Sequence, residues 1–96
     1  MDLGSNTFLL LIAEIERGKV TRVYHDECRV TRLAQGVGRS RMFHPDALAR
    51  AQKCLSDFAQ TIQKHRPEQV LAVATSAARD VRNQGELIGM LAELKI

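Results

Sequence analysis

The chain has 96 residues, 45% hydrophobic and 26% charged, with a formal net charge of +3. That length and balance describe one small globular domain or part of one, with room for a modest core, and exclude a disordered polymer. No apolar run approaches the roughly 18–20 residues of a membrane span, and Asp2 stands where a signal peptide would be basic, so no membrane partner and a cytoplasmic location are expected.

The first stretch, "DLGSNT" at residues 2 to 7, packs an acid, a glycine and three small polar residues in front of an apolar run. Gly4 permits a tight turn and close approach of a ligand to the backbone. Neighbouring N–H groups and the Ser5, Asn6 and Thr7 side chains can then point at an anion. A carboxylate at Asp2 repels a bare phosphate, so it makes sense there if a divalent cation or an attacking water lies between them. The alternative is an ordinary polar turn.

Residues 7 to 15, "TFLLLIAEI", are apolar on both faces and predict a strand central in a sheet. Arg17-Gly18 marks a tight turn, and residues 19 to about 30 predict a second strand that returns as a hairpin. From Arg17 to Arg41 seven basic residues face two acids, a net of +5 (7 − 2) that can attract a polyanion, with Arg29 and Arg32 within it. The alternative is a solvated strand and loop. Cys28 and Cys54 are expected to be free thiols in a chain without a leader. His25 and Cys28 are three residues apart, but no second pair completes a zinc site.

Residues 32 to 44, with Gly36 and Gly38, predict a loop. Pro45 then opens a helix, with Asp46 at the positive end of its dipole. Leu48, Ala51, Leu55, Phe58 and Ile62 form its apolar face; Arg50, Lys53, Asp57, Gln60 and Lys64 fall elsewhere, and Pro67 ends it. "QVLAVAT", residues 69 to 75, reads as the buried strand of a β–α–β unit. A short helix capped by Ser76 runs to about Arg82. Asn83-Gln84-Gly85 is a break, and a last helix carries Leu87, Leu91 and Leu94. The fold class is therefore α/β, an antiparallel hairpin joined to a parallel strand and packed by helices.

"ATSAARDVRN", residues 74 to 83, follows the predicted buried strand and so lies at its C-terminal end, where ligands of α/β sheets sit. Thr75, Ser76 and the first helical N–H groups suit an anion, and Arg79 can reach back as a phosphate clamp. The alternatives are plain helix capping by Thr75 and Ser76, and a salt bridge of Arg79 with Asp80 or Asp2.

Taken together, "DLGSNTFLLLIAEI", "RVTRLAQGVGRSRMFHPDALARAQKCLSDF" and "VATSAARDVRN" resemble the N-terminal part of the exopolyphosphatase and guanosine pentaphosphate phosphatase family, in the sugar kinase, heat-shock chaperone and actin superfamily. The resemblance implies part of a ribonuclease-H-like fold and removal of a terminal phosphate from inorganic polyphosphate or guanosine pentaphosphate, with Mg²⁺ (or Mn²⁺). It implies that Asp2, Gly4, Ser5 and Asn6 form the first phosphate motif and that Arg79 lies near the transferred phosphate; Asp2 is the candidate metal residue, directly or through water. Arg32, Leu33 and Gly36 match a loop motif of mainly structural role.

The family's catalytic Glu is expected beyond Ile96, and the apolar strand that precedes the family's Asp has only Met1 in its place. Residues 1–96 are therefore expected to be a single incomplete domain, inactive alone, with Asp2 poorly held. The alternative function is a non-catalytic nucleotide- or polyanion-binding module of the actin-like ATPase superfamily. No specific nucleic acid partner is expected. An incomplete sheet can also pair edge to edge with a second copy.

Overall fold

The structure, a computed structural model, describes residues 1–74 and 81–94. In chain order the elements are β1 (Asp2–Leu3), β2 (Thr7–Glu16), β3 (Lys19–Val30), α1 (Val37–Ser40), α2 (Pro45–His65), β4 (Val73–Ala74) and α3 (Gln84–Glu93). The strands form one sheet in the order β3-β2-β1-β4. β1 and β3 each run antiparallel to β2, and β4 runs parallel to β1.

The hairpin forms where the sequence places it. Arg17 and Gly18 both take positive φ, 52° and 76°, as a two-residue turn matching the strand twist requires. Along β2, Phe8, Leu10 and Ile12 are buried while Leu9 and Leu11 are exposed. Only one face of the sheet is thus covered by described residues, and α2 covers it. Beyond Ile12 both strands leave the core and project as a ribbon, which accounts for the long axis of the 43 × 23 × 19 Å molecule.

α2 starts at Pro45, and the amide of Asp46 donates to Nδ1 of the capping His44 at 3.1 Å. It ends with Arg66 in a left-handed conformation, its amide donating to the Ile62 carbonyl, just before Pro67. Ala47, Leu48, Ala51, Cys54, Leu55 and Phe58 are buried, and Ile62 packs at the margin of the core. Leu55, Phe58, Leu3, Phe8, Leu10 and Leu33 form the centre of that core. Full burial of a side chain such as Phe8 or Phe58 stabilises by about 1.5–3 kcal/mol.

Four expectations change. The 32–44 loop contains the one-turn helix α1. β2 is central in the sheet, but its second face is open among the described residues. The strand expected over residues 69 to 75 pairs only at Val73–Ala74 and is exposed, with Leu71 at 75% and Val73 at 49%. The reason is that β1 offers only two residues to pair with, and no described helix lies over that face. Asp2 is not poorly held: Asp2 and Leu3 are themselves β1, clasped between β2 and β4. The Met1 carbonyl accepts from the Val73 amide at 3.0 Å and the Met1 ammonium donates to the Leu71 carbonyl at 2.9 Å, which completes the clasp. Most of the short helix expected from Ser76 falls outside the described residues. α3 begins after Asn83, with Leu87 buried and Leu91 and Leu94 against the core.

Candidate functional site

The site is built on the turn that joins β1 to β2. The Gly4 amide donates to the Thr7 carbonyl at 3.0 Å, which reverses the chain over Ser5 and Asn6. A Cβ at position 4 would stand 2.7 Å from that same oxygen, so only glycine fits. Leu3 is buried against α2, and by strand alternation Asp2 projects from the opposite, open face. There it shares a face with its register partners Leu9 and Val73.

The segment after β3 pins the turn from behind. The amides of Thr31 and Arg32 both donate to the Asn6 carbonyl at 3.0 Å, and the Ala34 amide donates to the Ser5 carbonyl at 2.9 Å. Arg32 takes φ 49°, a left-handed conformation that redirects the chain after two successive amides have reached one oxygen. Arg50 on α2 holds this segment in turn. Its Nε donates to the Thr31 carbonyl at 2.7 Å, and Nη2 donates to the Gln35 Oε1 at 2.6 Å and the Arg32 carbonyl at 3.3 Å.

β1 and β4 are parallel and in register, Leu3 opposite Ala74, so the chain leaves both strands at the same end of the sheet. Just beyond the undescribed residues 75–80, the chain is anchored to the 41–43 segment. The Asn83 side chain accepts from the Phe43 amide at 2.8 Å and donates to its carbonyl at 3.3 Å, and the Arg82 amide donates to the Arg41 carbonyl at 2.8 Å.

Asp2, Gly4, Ser5 and Asn6 therefore stand together at one turn, and Arg32 reaches that turn through its backbone, its side chain exposed. Thr75, Ser76 and Arg79 lie outside the described residues. Arg29 is engaged elsewhere: its guanidinium donates to Glu27 and Asp57 and lies over the Phe58 ring. Asp57 and then Glu27, as hydrogen-bond partners, raise its affinity for its proton. The same cluster lowers the pKa of Glu27, first through the hydrogen bond from His25 at 2.9 Å and also through Arg29. The basic stretch from Arg17 to Arg41 is thereby spread out. It starts at the hairpin tip, and β3 carries it about 35–40 Å at ~3.3 Å per residue.

Thr31, Ala34, Gln35 and Arg50 were not among the residues singled out from the sequence. Thr31 and Ala34 act through backbone groups, which side-chain identity does not reveal. Arg50 did carry a signal: it stands seven residues before Asp57, so both lie on one flank of α2, and both reach across to the β3 side.

Among the described residues no group of three His, Cys, Asp or Glu side chains is arranged to hold a metal ion. At the turn the charged oxygen donor among the described residues is the exposed carboxylate of Asp2. One carboxylate does not enclose Zn²⁺ or Ca²⁺, but it fits Mg²⁺, which keeps several waters and takes further oxygens from substrate phosphates.

Three comparisons extend this geometry. A model of the Ppx/GppA phosphatase family matches residues 11–94. Exopolyphosphatase 2 of Mycobacterium tuberculosis is 41% identical over 97 residues, covering 98% of this chain and 30% of that protein. The crystal structure of the Aquifex aeolicus member of the Ppx/GppA family superposes with a TM-score of 0.88 at 28% identity, covering 99% of this chain and 31% of that one. An exopolyphosphatase from Cytophaga hutchinsonii superposes at 0.86 with 28% identity, covering 99% and 30%. The chain thus spans about 30% of the length of the curated relatives it matches.

Proposed function

The chain belongs to the Ppx/GppA phosphatase family, and from that membership we propose that it supplies the phosphate-holding turn of a phosphoanhydride hydrolase. The substrate is inorganic polyphosphate or guanosine pentaphosphate; the names of the relatives from M. tuberculosis and C. hutchinsonii support the first. The observation that carries this reading is the Gly4–Asn6 turn, reversed at Gly4 and pinned by the Thr31, Arg32 and Ala34 amides. It stands at the end of the sheet where β1 and β4 both finish.

Gly4, Ser5 and Asn6 line the terminal phosphate with backbone and side-chain donors, and Thr75 and Ser76, by the family resemblance, add to them. Arg79 meets the charge that gathers on the phosphate oxygens as water attacks phosphorus. Donors placed in advance stabilise that charge without reorganising. Asp2 faces the open side of the sheet, where it holds Mg²⁺ (or Mn²⁺) through water; the ion, when bound, offsets the charge of the phosphate chain. The general base is a Glu outside these 96 residues, so the stretch alone turns over little or no substrate.

Calorimetry with sodium tripolyphosphate and Mg²⁺ tests the turn. Binding by the 96-residue chain that weakens in Asp2→Asn and in EDTA supports the reading, and no binding sinks it. In a chain of the relatives' length that carries this stretch, Asp2→Ala or Arg79→Ala abolishes phosphate release, while polyphosphate binding is weakened but retained. Phosphate release by the purified 96-residue chain would overturn the assignment of the base. No helix among the described residues is long and apolar enough to cross a membrane. β4, the outermost described strand on its side, supports pairing with a second copy, which sedimentation equilibrium reads as a mass that rises with concentration.

A further inference from the structure

We infer that Arg50 is a positioning residue for the Gly4–Asn6 turn, acting across two layers of hydrogen bonds; its consequence for ligand binding rests on the phosphate reading above. The link is a single peptide unit. The carbonyl of Thr31 accepts from Arg50 Nε at 2.7 Å, and the N–H of the same unit, that of Arg32, donates to the Asn6 carbonyl at 3.0 Å. A trans peptide is planar, with C=O and N–H pointing in opposite directions, so gripping one end orients the other. The guanidinium charge also polarises the unit and strengthens the bond its N–H gives.

The other contacts of Arg50 hold that unit in place. Nη2 donates to the Arg32 carbonyl and to Gln35 Oε1, so one planar fork spans three acceptors on a single loop. Lysine carries no such fork. Arg50 is itself seated on α2 between the buried Ala47 and Cys54 turns of the helix, so the rigid element that fills the core also fixes the loop.

The effect reaches the ligand side of the turn by the same planarity. The Ser5 carbonyl is drawn inward to the Ala34 amide at 2.9 Å, so the N–H of that peptide unit, belonging to Asn6, points away from the loop. If the loop behind drifts, that N–H loses its aim. Arg50 touches none of the candidate phosphate-binding side chains and is not a catalytic residue.

The test uses the 96-residue chain with Arg50→Gln, Arg50→Lys and Gln35→Ala. Amide hydrogen exchange is followed by NMR at Thr31, Arg32 and Ala34, with Leu55 and Phe58 as reporters of the α2 core, and tripolyphosphate affinity is measured with Mg²⁺. Loss of charge-assisted bonds of this kind predicts exchange faster by about tenfold or more at the three loop amides in Arg50→Gln, with a similar loss of affinity. Leu55 and Phe58 stay unchanged, and Arg50→Lys recovers only part of the effect. Unchanged loop exchange, or loop exchange that rises only in step with Leu55 and Phe58, overturns the inference. If Arg50→Gln does not fold, Gln35→Ala takes the same test at one arm of the fork. Absent tripolyphosphate binding by the unsubstituted chain sinks the phosphate reading instead, and the local exchange pattern still decides whether Arg50 holds the turn. Faster loop exchange with unaltered affinity overturns the link to binding.

Discussion

The amide of Gly4 donates to the carbonyl of Thr7 at 3.0 Å, and a Cβ at residue 4 would stand 2.7 Å from that same oxygen. The bond that closes the turn and the space that a side chain would need are one and the same. Gly4→Ala must therefore open the turn or shift Thr7, the first residue of β2. We expect it to destabilise the chain by about 1–3 kcal/mol and to weaken tripolyphosphate binding, read by thermal unfolding and calorimetry. An unchanged Tm would show that the turn relaxes at no cost.

Leu10 and Leu11 are chain neighbours with opposite environments, 2% and 51% exposed. Leu10→Ala leaves a hole against α2 and should cost about 2–5 kcal/mol. Leu11→Thr places a β-branched residue on an open face and should cost within about 0.5 kcal/mol. Urea unfolding of the two variants checks this. Equal losses would mean that the second face of the sheet is covered.

Glu27 accepts from His25 and Arg29, and Arg29 also donates to Asp57, with the His65 ring 5.9 Å from that of His25. The pKa of Glu27 is lowered from 4.5, so the folded state holds its proton less tightly than the unfolded chain. Its contribution is present above about pH 4.5 and is lost as pH falls through the folded value. Partial exposure screens it to within about 1 kcal/mol. Glu27→Gln should flatten the fall in stability below pH 4.5, measured by urea unfolding at pH 7 and down to pH 3. An identical pH profile would show that the cluster contributes nothing.

Both cysteines are free, Cys28 exposed and Cys54 buried. Burial above all pushes the Cys54 thiol up to about 11, so it stays protonated at neutral pH, and that preference for the folded state fades as pH rises from 9 towards 11. Iodoacetamide at pH 8 should label Cys28 alone in the folded chain and both cysteines in urea, read by mass spectrometry of peptides. Early labelling of Cys54 would show that α2 opens readily.

Much of the fold was legible because its signals are local. The hairpin follows from the continuous apolar run of residues 7 to 15, the Arg17-Gly18 turn and the strand-forming Val, Thr and Tyr after it, and α2 follows from Pro45, the three- and four-residue spacing of its apolar face, and Pro67. β4 was overestimated for a non-local reason. A run such as "QVLAVAT" reads as buried whether or not anything covers it, and here β1 supplies two pairing residues and the far face is open among the described residues. The candidate site divides the same way. Gly4, Ser5 and Asn6 could be named from residue types, whereas the amides of Thr31 and Ala34 could not.

By itself, then, the sequence determined the class of the fold and the family, and it pointed to Asp2, Gly4, Ser5 and Asn6 as a candidate turn. Those depend on short-range spacing and side-chain chemistry, which are written into consecutive positions. Only the tertiary structure decided that Asp2 is held as a strand, that Arg29 is spent on Glu27 and Asp57, and that Arg50 reaches the turn through the Thr31–Arg32 peptide. Each of these is a pairing between distant parts of the chain, and its geometry exists only once α2 has packed on the sheet.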